Sequence, residues 1–136
     1  MKLTPFASDN EVAGNSKHEI TTPDGKLYRV LFGGVNLTTD GTVANRWVRV
    51  ALIAPDGHNI LCMCSGAVVT ASHTDQRHTY IQGIYRETAF INNVIQVPVA
   101  SELYLPSGYT LRTFVENGVA GDKFHCDWMV EEHDGY

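Results

Sequence analysis

The stretch "LPSGYTLRTFVENGVAGDKFHCDWMVEE", residues 105–132, decides the fold. It reads as a turn, a strand, a loop and a second strand running into an acidic end. In the first strand Tyr109, Leu111, Thr113 and Val115 share one face, with Arg112, Phe114 and Glu116 on the other. In the second, Phe124, Cys126, Trp128 and Val130 alternate with His125, Asp127, Met129 and Glu131. Side chains of a strand point to two sides in turn, so a period of two with one apolar side marks a half-buried strand. Pro106 and Gly108 open the stretch as turn formers. Proline fixes its φ angle, and glycine accepts the positive one that a tight turn into the next strand requires.

The same period continues upstream. "KLYRVLF" (26–32) is rich in strand formers, and Gly33 and Gly34 are expected to end it. In "NRWVRVALI" (45–53), Val48, Val50 and Leu52 fall opposite Trp47, Arg49, Ala51 and Ile53, before the turn "APDGHN". "ILCMCSGAVVTAS" (60–72) predicts two short strands parted near Gly66. In "RHTYIQGIYRE", Thr79, Ile81 and, past Gly83, Tyr85 are expected on one face. "FINNVIQVPVASELYL" (90–105) is a longer run interrupted by Pro98. No segment carries apolar residues at helical spacing. Eight or so short strands at intervals of roughly 8–12 residues predict an all-β sandwich or barrel.

Residues 1–24 differ. Pro5, Gly14 and Pro23 punctuate them, and Leu3, Phe6 and Val12 are apolar without a stripe. The expected organisation is an extended arm over 1–24 and a β-domain over 25–136. Leu3, Phe6 and Val12 would be the arm's anchors on a neighbouring subunit or partner. Because the strands are expected to begin near Lys26, loss of residues 2–20 should leave the β-domain folded.

The chain's 136 residues suit one domain with one core. No apolar run approaches the ~20 residues that span a bilayer, so no membrane partner is expected. The first residues lack the apolar core of a secretion signal, which predicts a cytosolic product. Residues 1–115 hold nine acids and nine bases; residues 116–136 hold six acids and Lys123 alone, which gives the net charge of -5. That end is a solvated acidic face or a contact for a basic partner. With no basic tract, nucleic acid is not an expected ligand.

Cys62, Cys64 and Cys126 are odd in number, which argues against a disulfide framework. With one histidine they could supply four zinc ligands, but small buried apolar thiols are the simpler reading. "LPSGYTL" resembles the second motif of the cupin family in its Pro-x-Gly, yet Leu111 stands where that motif has its metal-binding histidine. His73 and His78 are five apart, which puts them on opposite faces of a strand. His18, His58, His125 and His133 read as surface histidines. Ser65 lacks the G-x-S-x-G elbow, and His125 and Cys126, adjacent in a strand, diverge. No metal, no cofactor and no catalysis are therefore expected, with a small cupin-like enzyme as an alternative.

The second half, with its "ASELYLPSGYTLRTFVEN", its "GD" loop and its last alternating strand ending in an acidic tail, resembles small trimeric jelly-roll proteins. Among these it is similar to the capsid decoration (cement) proteins of tailed bacteriophages. The resemblance implies a jelly-roll-like antiparallel β-sandwich made in the host cytoplasm and placed on the capsid surface of the virion. It also implies homotrimers that hold neighbouring copies of the major capsid protein together. A receptor- or glycan-binding head of a phage fibre is the other resemblance, with Tyr80, Tyr85, Tyr104 and Tyr109 as candidate aromatic platforms.

Overall fold

A computed structural model describes residues 1–9 and 11–135. Two sheets pack face to face, and no described residue is helical. The strands are β1 (Lys2–Ala7), β2 (Val12–Ala13), β3 (Lys17–Thr21), β4 (Lys26–Thr38), β5 (Trp47–Ile53), β6 (Asn59–Cys64), β7 (Gln76–Ile81), β8 (Val94–Pro98), β9 (Tyr104–Leu105), β10 (Thr110–Glu116) and β11 (Lys123–Asp134). The large sheet runs β1-β11-β4-β7-β8, with β2 also on β11 and β9 also on β4. The small sheet runs β3-β10-β5-β6. All pairs are antiparallel except β7 with β8, which is parallel. The all-β sandwich expected from the sequence holds, with this one parallel pair where residues 82–93 carry the chain back to the start of the neighbouring position. A parallel return needs such a crossover.

The two strands of residues 105–132 lie in opposite sheets. β10 sits inside the small sheet between β3 and β5, and β11 sits inside the large one. Leu111, Thr113 and Val115 face Phe124, Cys126, Trp128 and Val130 across the core, all of them buried. Between Pro106 and β10, the amide of Tyr109 donates to the Pro106 carbonyl at 3.0 Å, and Gly108 takes φ +84°.

Four expectations about the elements are revised. First, β4 does not stop at the glycine pair but runs through it. Gly33 pairs with Trp128 on the inner face, and a Cβ there would overlap the indole ring. Glycine is in the strand to make room for tryptophan, not to end the strand. A register shift opposite Met129 and Val130 turns the phase of β4, so Tyr28 and Val30 point inward before it and Val35 and Leu37 after it.

Second, Thr79 and Ile81 do share a face of β7, the outward one, with Gln76, His78 and Tyr80 buried on the other, but Tyr85 does not continue it. Tyr85 lies beyond the strand and is 95% exposed. Third, the stretch after Gly66 forms no second strand; Val69 makes only an isolated bridge to Arg46.

Fourth, residues 1–24 are not an arm set apart from the β-domain. β1 pairs along β11 from Lys2 opposite Glu132 to Ala7 opposite Asp127, and β3 pairs along β10. Ile20 belongs to the core, and Phe6 and Val12 pack against it. These short edge strands take their order from the strand they join, so their own sequence needs little periodicity.

A buried ion pair fixes one end of the sandwich. Arg46 and Asp122 are both fully buried. The guanidinium donates to both carboxylate oxygens of Asp122, at 2.9 and 3.0 Å, to Asp40 at 3.1 Å and to the Ala44 carbonyl at 3.0 Å. Asp122 also accepts the amides of Asp40 and Val119. Burial pushes the Asp122 carboxyl up, but the hydrogen bonds from Arg46 and the two amides outweigh it and hold it below its ordinary range. Asp122, counted from the sequence among the solvated acids of the terminus, is instead a core residue.

Candidate functional site

The two outward faces of the sandwich differ in kind. On the small sheet, charges are matched within the chain. Arg112 bonds Glu19 at 2.8 Å, and Arg49 holds Glu116 at 2.9 Å through Nη2. Arg49 and Arg112 flank Ala51 in the sheet register, and Ala51 is buried although it points outward. These ion pairs run along the face, and a groove of about 390 Å³ lined by Ile60, Cys62 and Phe114 stays open beside them.

The outward face of the large sheet carries a row of apolar side chains. Pro5, Met129 and Phe32 stand side by side on β1, β11 and β4. Gly33 pairs with Tyr80, so Ile81 follows beside Phe32, and Ile81 pairs with Pro98. One apolar row therefore crosses the sheet, with a single residue contributed by each of five strands. Leu3, 56% exposed, and Tyr104, also exposed, lie in the next row, and Phe32 is 50% exposed. Apolar side chains scattered singly over a surface are ordinary, but a contiguous row is a mark of contact with another molecule.

A groove of about 360 Å³ lies beside this row over Gly33 and Gly34, between Phe32, Met129, Asp127 and Arg77. Gly34 points outward in the row Asp127, Gly34, Thr79, Gln96. A Cβ there would meet only the His78 carbonyl, at 3.6 Å. Asp127 and Arg77 rim the groove, and among the described residues neither side chain has an ion pair or hydrogen bond. On the same sheet Arg29 lies against Glu131 at 4.0 Å and Lys123 against Glu11 at 3.3 Å.

The residues singled out from the sequence scatter. Leu3 is on the apolar face, whereas Phe6 stacks beside Tyr28 at 5.6 Å between ring centres and Val12 sits opposite Phe124. Pro106 and Gly108 form their turn away from that face. Cys62 and Cys64 lie on the outer side of β6, while Cys126 is in the core, where burial pushes its thiol up. Among the described residues no three His, Cys, Asp or Glu side chains gather as metal ligands. Of the four tyrosines, Tyr80 is fully buried against Trp128 at 5.3 Å, so the proposed platform of four is not one surface.

His78 was read from the sequence only for its spacing from His73. It is fully buried, with Nδ1 3.1 Å from the Gln76 carbonyl and its ring edge-on to Phe90 at 5.2 Å. Burial pulls its pKa down to about 4, so the ring is neutral at physiological pH. Among the described residues, the buried hydroxyl of Tyr80 has no hydrogen-bond partner.

No family model matches this chain, and no curated protein is significantly similar to it.

Proposed function

We propose that this chain is a non-enzymatic assembly protein, acting as a decoration protein that binds the outside of a phage capsid and stabilises it. The observation that supports this reading is the contrast between the two outward faces. The small sheet matches its charges internally, and the large sheet leaves an apolar row uncovered. A rigid sandwich with one such face is suited to holding protein surfaces together, since affinity in such contacts comes from a few well-packed apolar and aromatic groups. In this reading the partners are the major capsid protein and further copies of the chain, ordered threefold as the jelly-roll resemblance implies. Several weak contacts held in one oligomer bind a repeating shell far more tightly than one. Leu3 contributes to the contact, while Phe6 and Val12 act within the fold.

The test is co-sedimentation with capsids that lack the protein. The wild-type chain should pellet with them and raise their resistance to heat, and Phe32→Asp should not bind while keeping its own thermal transition. Wild-type protein that stays in the supernatant at every concentration would remove the decoration role.

A further inference from the structure

We infer that the free edge of β6 takes up an extended segment of the capsid protein as an added strand of the small sheet. The inference rests on the decoration role proposed above, and it names the partner's part in the contact.

The sheets end in β1 and β8 and in β3 and β6. Three of these edges are protected. Along a paired strand, alternate residues turn their N–H and C=O to the neighbour, and the residues between turn theirs away. The amide of Ser8 bonds the Cys126 carbonyl at 2.9 Å, so Leu3, Pro5 and Ala7 face the free side of β1, where Pro5 has no N–H to give. On the free side of β8, Val94 exchanges two backbone bonds with Ile91, and Gln96 donates to the Glu87 carboxylate at 2.7 Å and accepts the Glu87 amide. Pro98, next on that side, lacks an N–H. β3 carries Lys17 and Glu19. Charge, proline and cover are the usual protections of a sheet edge.

β6, Asn-Ile-Leu-Cys-Met-Cys, has none of them. The amide of Ser65 bonds the Val48 carbonyl at 3.1 Å, which sets Leu61 and Met63 on β5 and turns the N–H and C=O of Cys62 and Cys64 to the open side. Among the described residues no group bonds them there. An uncharged, unpaired edge is a template for the extended backbone of another chain.

The surroundings select the occupant. Another groove, also of about 390 Å³, lies between the edges of β6 and β8, lined by Leu61, Met63, Val97 and Val99. A strand laid along β6 turns every second side chain into this groove, so those side chains are apolar. Arg86, at the groove's rim beside Gly66, has no carboxylate partner among the described residues. It suits an acid at the Cys64 end of the segment. Pro98 lines the same groove and is the last member of the apolar row. The row and the edge are therefore one continuous contact, within reach of one partner. A second copy does not suit. With its other edges protected it has only β6 to offer, and β6 on β6 is a two-fold pairing that does not build a threefold ring.

The experiment is binding to capsids that lack the protein, with amide hydrogen exchange followed in the free and bound chain. On capsids the amides of Cys62 and Cys64 should exchange about tenfold more slowly or slower still. Cys62→Pro removes one outward N–H and is compatible with an edge strand. It should weaken capsid binding about tenfold and keep the wild-type melting temperature. Cys62→Lys puts a charge on the edge with the backbone intact, and it decides the matter if the proline variant melts early. Cys62→Ser should bind as the wild type does. If the wild type binds and the edge variants bind equally well, or the two amides stay unprotected, the edge inference falls and the decoration role stands. If light scattering shows the free protein's molar mass halved by Cys62→Lys, the occupant is a second copy and the inference is overturned. Wild-type protein that ignores capsids overturns both.

Discussion

The indole N–H of Trp128 in the large sheet donates to the hydroxyl of Thr113 in the small sheet, at 3.1 Å across the buried core. This bond lets a tryptophan with 1% exposure keep its one polar atom satisfied. It also explains a threonine among leucine and valine on the inner face of β10.

Thr113→Val keeps the shape but leaves the indole donor unpaired. It should destabilise the protein by about 1–3 kcal/mol and lower the melting temperature by several degrees. Thr113→Ser retains the acceptor and should melt closer to the wild type. Equal melting of the valine variant and the wild type would show that the bond contributes nothing.

Gly33→Ala puts a methyl group where the Trp128 ring lies. Overpacking of this kind costs about 1–3 kcal/mol. Gly34→Ala, one residue on and facing the open groove, should leave stability within about 0.5 kcal/mol, as surface changes usually do. Chemical denaturation of the pair separates the two roles of neighbouring glycines.

Acid should weaken the fold in two stages. His78 titrates near 4 when folded, against 6.5 as its ordinary value. The unfolded chain therefore binds more protons between those values, and stability falls as pH drops from about 6.5 towards 4. The full effect is about 3 kcal/mol, and His78→Leu should flatten that part of the profile. Asp122, held low by Arg46, contributes stability above its ordinary value and loses it at still lower pH, as the folded carboxyl takes up its proton. Denaturation midpoints measured from pH 7 to pH 3 would reveal both limbs. A wild-type profile flat down to pH 4 would contradict the first.

Truncation tests the N-terminal strands. Deleting residues 2–7 removes β1 and the packing of Phe6, a loss of about 2 kcal/mol, and a cooperative transition should remain. Deleting residues 2–20 also removes Ile20 from the core and β3 from the edge of β10. That protein should lose its cooperative transition, contrary to what the sequence implies. Circular dichroism melts of the two truncations, if alike, would show that β3 is dispensable.

The legible part of the fold was the part with long inward alternation. β5 and β11 each present three or more apolar residues to one side, β10 presents Leu111 and Val115 about Thr113, and no competing pattern obscures them. In β7 the alternation was legible but not which side is inward, because the inward residues are Gln76, His78 and Tyr80, whose polar atoms disguise a core face. The glycine pair misled because the reason for Gly33 is ninety-five positions away, in Trp128. β1 to β3 were missed because strands of two to six residues at a sheet edge need no pattern of their own. The apolar row could not be read at all. Its members are residues 5, 129, 32, 81 and 98, one to a strand, and only the register makes them neighbours.

The central place of β11 has a consequence for synthesis. This strand joins β1 and β2 on one side and β4 on the other, so the first and second strands made have no partner until nearly the whole chain exists. On the ribosome, where translation adds about 5–20 residues per second, Phe6, Val12, Tyr28 and Val30 wait through the making of some hundred residues before residues 123–134 emerge. The large sheet therefore cannot grow outward from its N-terminal strands. The part built of β4, β7, β8 and β9 can pair earlier, but β1 and β2 join only when β11 arrives, and until then their apolar side chains stay exposed, where a chaperone could hold them.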